Sequence, residues 1–94
     1  MSGEPYPLIM ERAVHPLIVP DVGAVGMPLA VSLWLVPEGA AVLEGDRIVE
    51  LVCGGATLDL EAPVSGRLVR QLVDEDTPVT AGTVIAEFES GPDA

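Results

Sequence analysis

The stretch Arg47-Ile48-Val49-Glu50-Leu51-Val52-Cys53-Gly54-Gly55-Ala56-Thr57-Leu58-Asp59-Leu60-Glu61 decides the fold. Apolar and polar residues alternate on both sides of a glycine pair. Val49, Leu51 and Cys53 fall on one face, with Ile48, Glu50 and Val52 on the other. After the glycines, Ala56, Leu58 and Leu60 oppose Thr57, Asp59 and Glu61. A period of two belongs to strands, because successive side chains point to opposite faces. Two glycines between two such strands predict a tight hairpin, with both central residues at positive φ.

Outward from the hairpin the apolar runs stay short and are broken by Gly, Pro and Asp, with no long helical stripe. Strands are expected near 17–20, 30–36, 47–53, 56–61, 66–73 and 84–89. Two very short ones are expected near 41–43 and 78–80. Short strands at regular spacing predict an all-β sandwich or barrel. Residues 1–16, with Pro5, Pro7 and Pro16, read as an N-terminal arm with a short strand near Leu8–Met10. Residues 17–89 read as the domain and 90–94 as a tail.

The chain also repeats itself at an interval of 37 residues. Leu35-Val36-Pro37-Glu38 lies over Leu72-Val73-Asp74-Glu75, and Val42, Gly45, Ile48, Glu50 and Leu51 lie over Val79, Gly82, Ile85, Glu87 and Phe88. Two copies are too few for a solenoid. They predict a flattened barrel or sandwich of two small antiparallel sheets, related by a pseudo-twofold axis.

Composition narrows the function. The 94 residues carry a net charge of −11, and Arg12, Arg47, Arg67 and Arg70 are the only cations besides the single histidine. Such a chain has nothing with which to neutralise phosphates, so nucleic acid is not expected as a partner. Anionic membranes repel it as well. One cysteine forbids an intramolecular disulfide and fits a reducing cytoplasm. Residues 1–14 show no secretory-leader pattern, and no run reaches the length of a membrane span. No phosphate loop, serine elbow or paired catalytic carboxylates stand out, so an enzyme is not expected.

These features together resemble the lipoyl domains of 2-oxoacid dehydrogenase complexes, a fold shared with biotin carriers. Ile18-Val19-Pro20-Asp21-Val22-Gly23 is similar to the family's opening strand and turn. Trp34-Leu35-Val36-Pro37-Glu38-Gly39 resembles its Trp-Leu-Val-Lys-Glu-Gly segment, and Val42-Leu43-Glu44-Gly45-Asp46 its Val-Lys-Glu-Gly-Asp turn. Ala56 to Gly66 resembles the stretch after the modified lysine, and Val79 to Gly82 the matching turn of the second half. The resemblance covers about residues 17–89. It implies a barrel-sandwich hybrid that carries a cofactor on a lysine at the hairpin tip.

At that tip this sequence departs. The family's Asp-Lys-Ala falls on Gly54-Gly55-Ala56, which puts glycine at the attachment position, Gly55. The biotin-type Met-Lys-Met is absent too. The family's Glu-Gly pair before the second strand falls at Pro28-Leu29. Attachment needs a primary amine, and arginine stays protonated and cannot replace it. The resemblance therefore implies a degenerate carrier with no cofactor-binding residue and no cofactor. Its expected role is in protein binding or structure, with subunits of a 2-oxoacid dehydrogenase or acyltransferase complex as partners. The lipoyl-like domains of export adaptors and the glycine-cleavage carriers are weaker comparisons, since the first flank long helical hairpins and the second need lysine.

Other side chains invite chemistry. Cys53 adjoins the tip, and a carrier or redox role for its thiol is the alternative function. No cation flanks it in sequence, and a lone cysteine in a β domain is usually a small buried hydrophobe. His15 stands alone at the arm–body junction, with no spacing that pairs it with Cys53 or a metal. Asp74-Glu75-Asp76-Thr77 lacks calcium-loop spacing and reads as a solvated turn, or as a contact for a basic partner. Trp34 is expected to pack against a sheet, with an interface anchor as the other reading. No metal site is expected.

Overall fold

The computed structural model describes residues 13–23 and 26–91. These residues form seven strands and no helix: β1 (Ala13–Ile18), β2 (Leu29–Trp34), β3 (Ala41–Val42), β4 (Arg47–Cys53), β5 (Ala56–Glu61), β6 (Gly66–Gln71) and β7 (Val84–Ser90). One sheet has the order β1-β7-β6-β3 and the other β2-β4-β5, with every pairing antiparallel. The all-β, two-sheet architecture expected from the sequence is the one observed.

The internal repeat is visible strand by strand. β2 and β6 begin 37 residues apart and are equally long, and so do β4 and β7. β4 and β7 share one burial pattern along all seven positions. β1 and β5 are also counterparts, but 43 residues apart. The difference lies in the connections: residues 19–28 join β1 to β2, whereas the shorter 62–65 join β5 to β6. Hydrogen bonds follow the same rule. Leu35 N donates to Ile48 O at 2.8 Å, and Leu72 N to Ile85 O at 2.9 Å. Trp34 N donates to Glu75 Oε2 at 2.9 Å, and Gln71 N to Glu38 Oε2 at 2.7 Å. Trp34 Nε1 reaches Val73 O at 3.0 Å, as Gln71 Nε2 reaches Val36 O at 2.9 Å. Two unlike side chains thus make the same contact in the two halves.

Several local expectations need correction. β1 reaches back to Ala13, into the segment read as an arm, and ends before Val19 and Pro20. Pro16 argued against a strand there, but β1 is an edge strand and pairs on one side only, so a missing N–H is tolerated. The proposed strand near Leu8–Met10 lies outside the described residues. The segment near 78–80 is reduced to one bridge, Ala30↔Pro78, flanked by bonds from Val31 N to Thr77 O and Val79 N to Leu29 O. Strict alternation puts Ile48 on the face opposite Val49, yet both are fully buried. The register slips between Arg47 and Val49, and this bulge turns an extra residue inward. Its counterpart at Ile85 and Ala86 also buries two successive residues.

The core lies between the sheets. Phe88, Ile48, Leu51, Leu68, Ile85, Val19, Val31 and Val49 are fully buried, and no described polar side chain is buried with them. With one aromatic ring at its centre, the core depends on close aliphatic packing. Gly66 marks the tightest approach. A Cβ there would collide with the carbonyl oxygen of Glu89 and stand 3.2 Å from Ser90 Cα, so β6 accepts only glycine beside β7.

Candidate functional site: the β4–β5 hairpin tip

The hairpin forms as the alternation demands, with Cys53↔Ala56 as its last pair. Gly54 and Gly55 make the turn. Gly54 takes φ 61°, while Gly55 is not among the residues of positive φ. The expectation of two positive φ values is therefore corrected. A single one at the first central position is what a type II′ turn requires, and that turn also matches the strand twist.

The two glycines have different surroundings. A Cβ on Gly54 would overlap the terminal methyl of Met27, whereas a Cβ on Gly55 would meet nothing within 4 Å. Met27 comes from the long connection 19–28, the segment that gives the first half its extra residues. That connection brings Val22 and Met27 beside the tip. Both are substantially exposed, at 41% and 49%. Between them and the hairpin lie two adjoining depressions of about 180 and 480 Å³, and Val22, Met27 and Cys53 line both. Sequence reading missed Val22 and Met27. The change of interval from 37 to 43 residues was the signal that could have pointed to this loop.

Cys53 packs against the core cluster yet is only partly buried. It occupies the face expected from the alternation, at an end of the strand where the sandwich opens. His15 does not approach it. β1 places His15 beside β7, with Nε2 2.9 Å from Ser90 Oγ. This lies on the other sheet, at the Ala13↔Ser90 end that is the pseudo-symmetric counterpart of the tip. The segment Asp74–Thr77 is structural: Glu75 caps the β2 backbone, Asp76 N donates to Val31 O at 2.7 Å, and Asp76 itself takes φ 68°. No group of three metal-ligating side chains occurs among the described residues. Trp34 is half-buried and packs against the core, with its indole N–H satisfied by Val73.

Arg47 contacts Asp59 at 3.3 Å and Arg70 contacts Glu87 at 3.6 Å, both with well-exposed guanidinium groups. Pairs of this kind contribute little to stability.

A two-sheet sandwich with matched halves and a two-residue hairpin in one of them is the geometry against which similarity can be weighed. The model of the biotin/lipoyl family, described as biotin-requiring enzyme, matches residues 15–88. The chain belongs to this family. It is 30% identical over 78 residues to the dihydrolipoyllysine-residue acetyltransferase component of the acetoin cleaving system of Pseudomonas putida, covering 83% of this chain and 21% of that protein. It is also 30% identical over 76 residues to the corresponding component of the pyruvate dehydrogenase complex of Staphylococcus epidermidis, covering 81% of this chain and 17% of that protein. The chain thus spans 17–21% of the length of the curated relatives it matches. In this biotin/lipoyl-family chain the four Lys and Arg positions are all arginine. Among the described residues no helix is long and apolar enough to cross a membrane.

Proposed function

We propose that this chain is a lipoyl-type module without an attachment site, acting in the cytoplasm as a non-enzymatic interaction or structural component of 2-oxoacid dehydrogenase or acyl-transfer machinery. The observation that carries this reading is the tip itself. The hairpin holds Gly55 in open space at the position that matches the family's modified lysine, and glycine offers no nucleophile there. Kinship with acetyltransferase components supports the context, since a module of their fold is suited to the surfaces that receive it. No cofactor is required, and no catalytic residue is assigned.

Intact-mass measurement tests it. The full chain is co-expressed with a lipoate–protein ligase and, separately, with a biotin–protein ligase. The unmodified mass is expected from both. Addition of either group would refute the reading.

The partial exposure of Cys53 beside two apolar depressions favours one second reading, a carrier or redox module working through that thiol. Labelling of the folded protein with a thiol reagent separates the two. Unfolded-state rates would support the thiol reading, whereas labelling only on unfolding would dismiss it.

A further inference from the structure

The pseudo-twofold relation supplies an internal control for the two outer sheet faces. Across β6, β7 and β1 run two rows, Arg67–Glu89–Val14 and Arg70–Glu87–Pro16. Their counterparts across β2, β4 and β5 are Ala30–Val52–Thr57 and Leu33–Glu50–Asp59. In the first sheet each acid on β7 faces an arginine on β6. In the second sheet both arginine positions are apolar, and Leu33 is 45% exposed. Glu50 and Asp59 stand directly opposite each other. Like charges in that relation destabilise a strand pair. Arg47 binds Asp59, and no described cation pairs with Glu50.

We propose that the outer face of the β2–β4–β5 sheet is a docking surface for a basic protein segment, one that lays an apolar side chain on Leu33 and a lysine or arginine beside Glu50. The inference deepens the interaction role proposed above and rests on it. Charge chooses the occupant. At a net −11 a second copy of this chain is repelled, and so is a nucleic acid. A cation beside Glu50 completes the neutralisation that Arg47 supplies only to Asp59. Space exists for it: Leu35, Val36, Asp46, Arg47, Glu50 and Asp59 line a shallow cleft of about 540 Å³ at the end of this face. Three carboxylates and one guanidinium leave that cleft negative. Ala30, Val52 and Leu33 form the apolar floor beside it, the arrangement of an interface anchor next to a charged rim.

The test uses the full chain, uniformly ¹⁵N-labelled, with two blocked peptides as probes, Lys-Leu-Lys-Leu-Lys and Lys-Ser-Lys-Ser-Lys. Amide shift changes from the leucine peptide are expected on β2, β4 and β5 around Leu33 and Glu50. The serine peptide is expected to bind roughly fivefold more weakly, the effect of losing about one kcal/mol of anchor contact. Leu33→Ser and Glu50→Gln are expected to weaken the leucine peptide by a similar factor, while the counterpart Glu87→Gln leaves it unchanged. Leu33 and Glu50 are surface positions, and the unperturbed spectrum of each variant reports that it has folded. Equal shifts on both sheets, or equal binding of both peptides, would overturn the proposal in favour of a diffuse acidic surface. Shifts that follow protein concentration without peptide would overturn it in favour of self-association. Neither outcome touches the mass measurement, so failure here is distinguishable from failure of the attachment-free reading.

Discussion

Replacing Gly54 and Gly55 by lysine, one at a time, is expected to give opposite results at adjacent positions. At Gly55 the backbone is outside the positive-φ region and a new Cβ meets nothing within 4 Å. Gly55→Lys should therefore fold unchanged, or gain up to about 1 kcal/mol from the smaller entropy of its unfolded chain. At Gly54 the backbone sits at φ 61° and a Cβ would overlap the Met27 methyl. The methyl ends a flexible, half-exposed side chain and can swing away cheaply, so the backbone sets the magnitude. A long side chain in the left-handed region costs roughly 1–2 kcal/mol. In a domain of this size that lowers the melting temperature by about 4–8 °C per kcal/mol. Urea unfolding followed by the single tryptophan, Trp34, measures both variants. Co-expression with a lipoate–protein ligase, read by intact mass, adds the functional half: Gly55→Lys is expected to gain a lipoyl group and Gly54→Lys to gain little or none. A Gly54→Lys domain as stable as the parent would refute the turn assignment. A Gly55→Lys domain destabilised by more than about 1 kcal/mol would refute the claim that the position is sterically free.

Three further outcomes follow from the same geometry. Asp76 occupies at φ 68° the place that Gly39 fills at φ 90° in the other half, so Asp76→Gly should stabilise by about 0.5–1 kcal/mol, read as a higher urea midpoint with an unchanged slope. Gly66→Ala drives a methyl into the β7 backbone, which cannot move aside as a side chain can; a loss of about 3 kcal/mol or more is expected, and a loss below 1 in thermal unfolding would disprove the contact. Gln71→Leu removes the donor to Val36 O and should cost about 1 kcal/mol, to be compared, by urea unfolding followed by circular dichroism, with Trp34→Phe, which removes the matching donor to Val73 O along with packing and should cost more.

Much of this structure was legible in the sequence because its signals were redundant. Alternation and the glycine pair located β4 and β5, the 37-residue interval tied β7 to β4, and those strands fall within a residue of expectation. The errors cluster where one signal outweighed pairing context. Pro16 read as a break because composition does not say which strand lies at an edge. Ile48 was put on the wrong face because a bulge resets the alternation and leaves no mark in the residues themselves. The absence of lysine needs no coordinates. The surroundings of the tip were not legible: Met27 reaches Gly54, and Val22 the depressions beside it, only through the path of a long connection. The same holds for Glu38 and Glu75, which cap strands of the opposite half; only their shared place in the repeat hinted at a common task.

The contrast among the glycines bears on why a carrier fold can exist without its cargo. Gly66 is fixed by the collision with β7, and Gly54 by the sign of its φ. Gly55 is fixed by neither. The turn, the Cys53↔Ala56 pair and the core beneath are all specified without reference to the residue at 55. Folding is thus indifferent there, and under the proposed reading of Gly55 the attachment position is energetically uncoupled from the sandwich that presents it. A chain can hold lysine or glycine at that point with the same scaffold and nearly the same stability. The surface chemistry particular to this chain therefore has to be sought where its two halves differ. Those differences are the long 19–28 connection against the tip, and the outer face where Leu33 stands in place of an arginine.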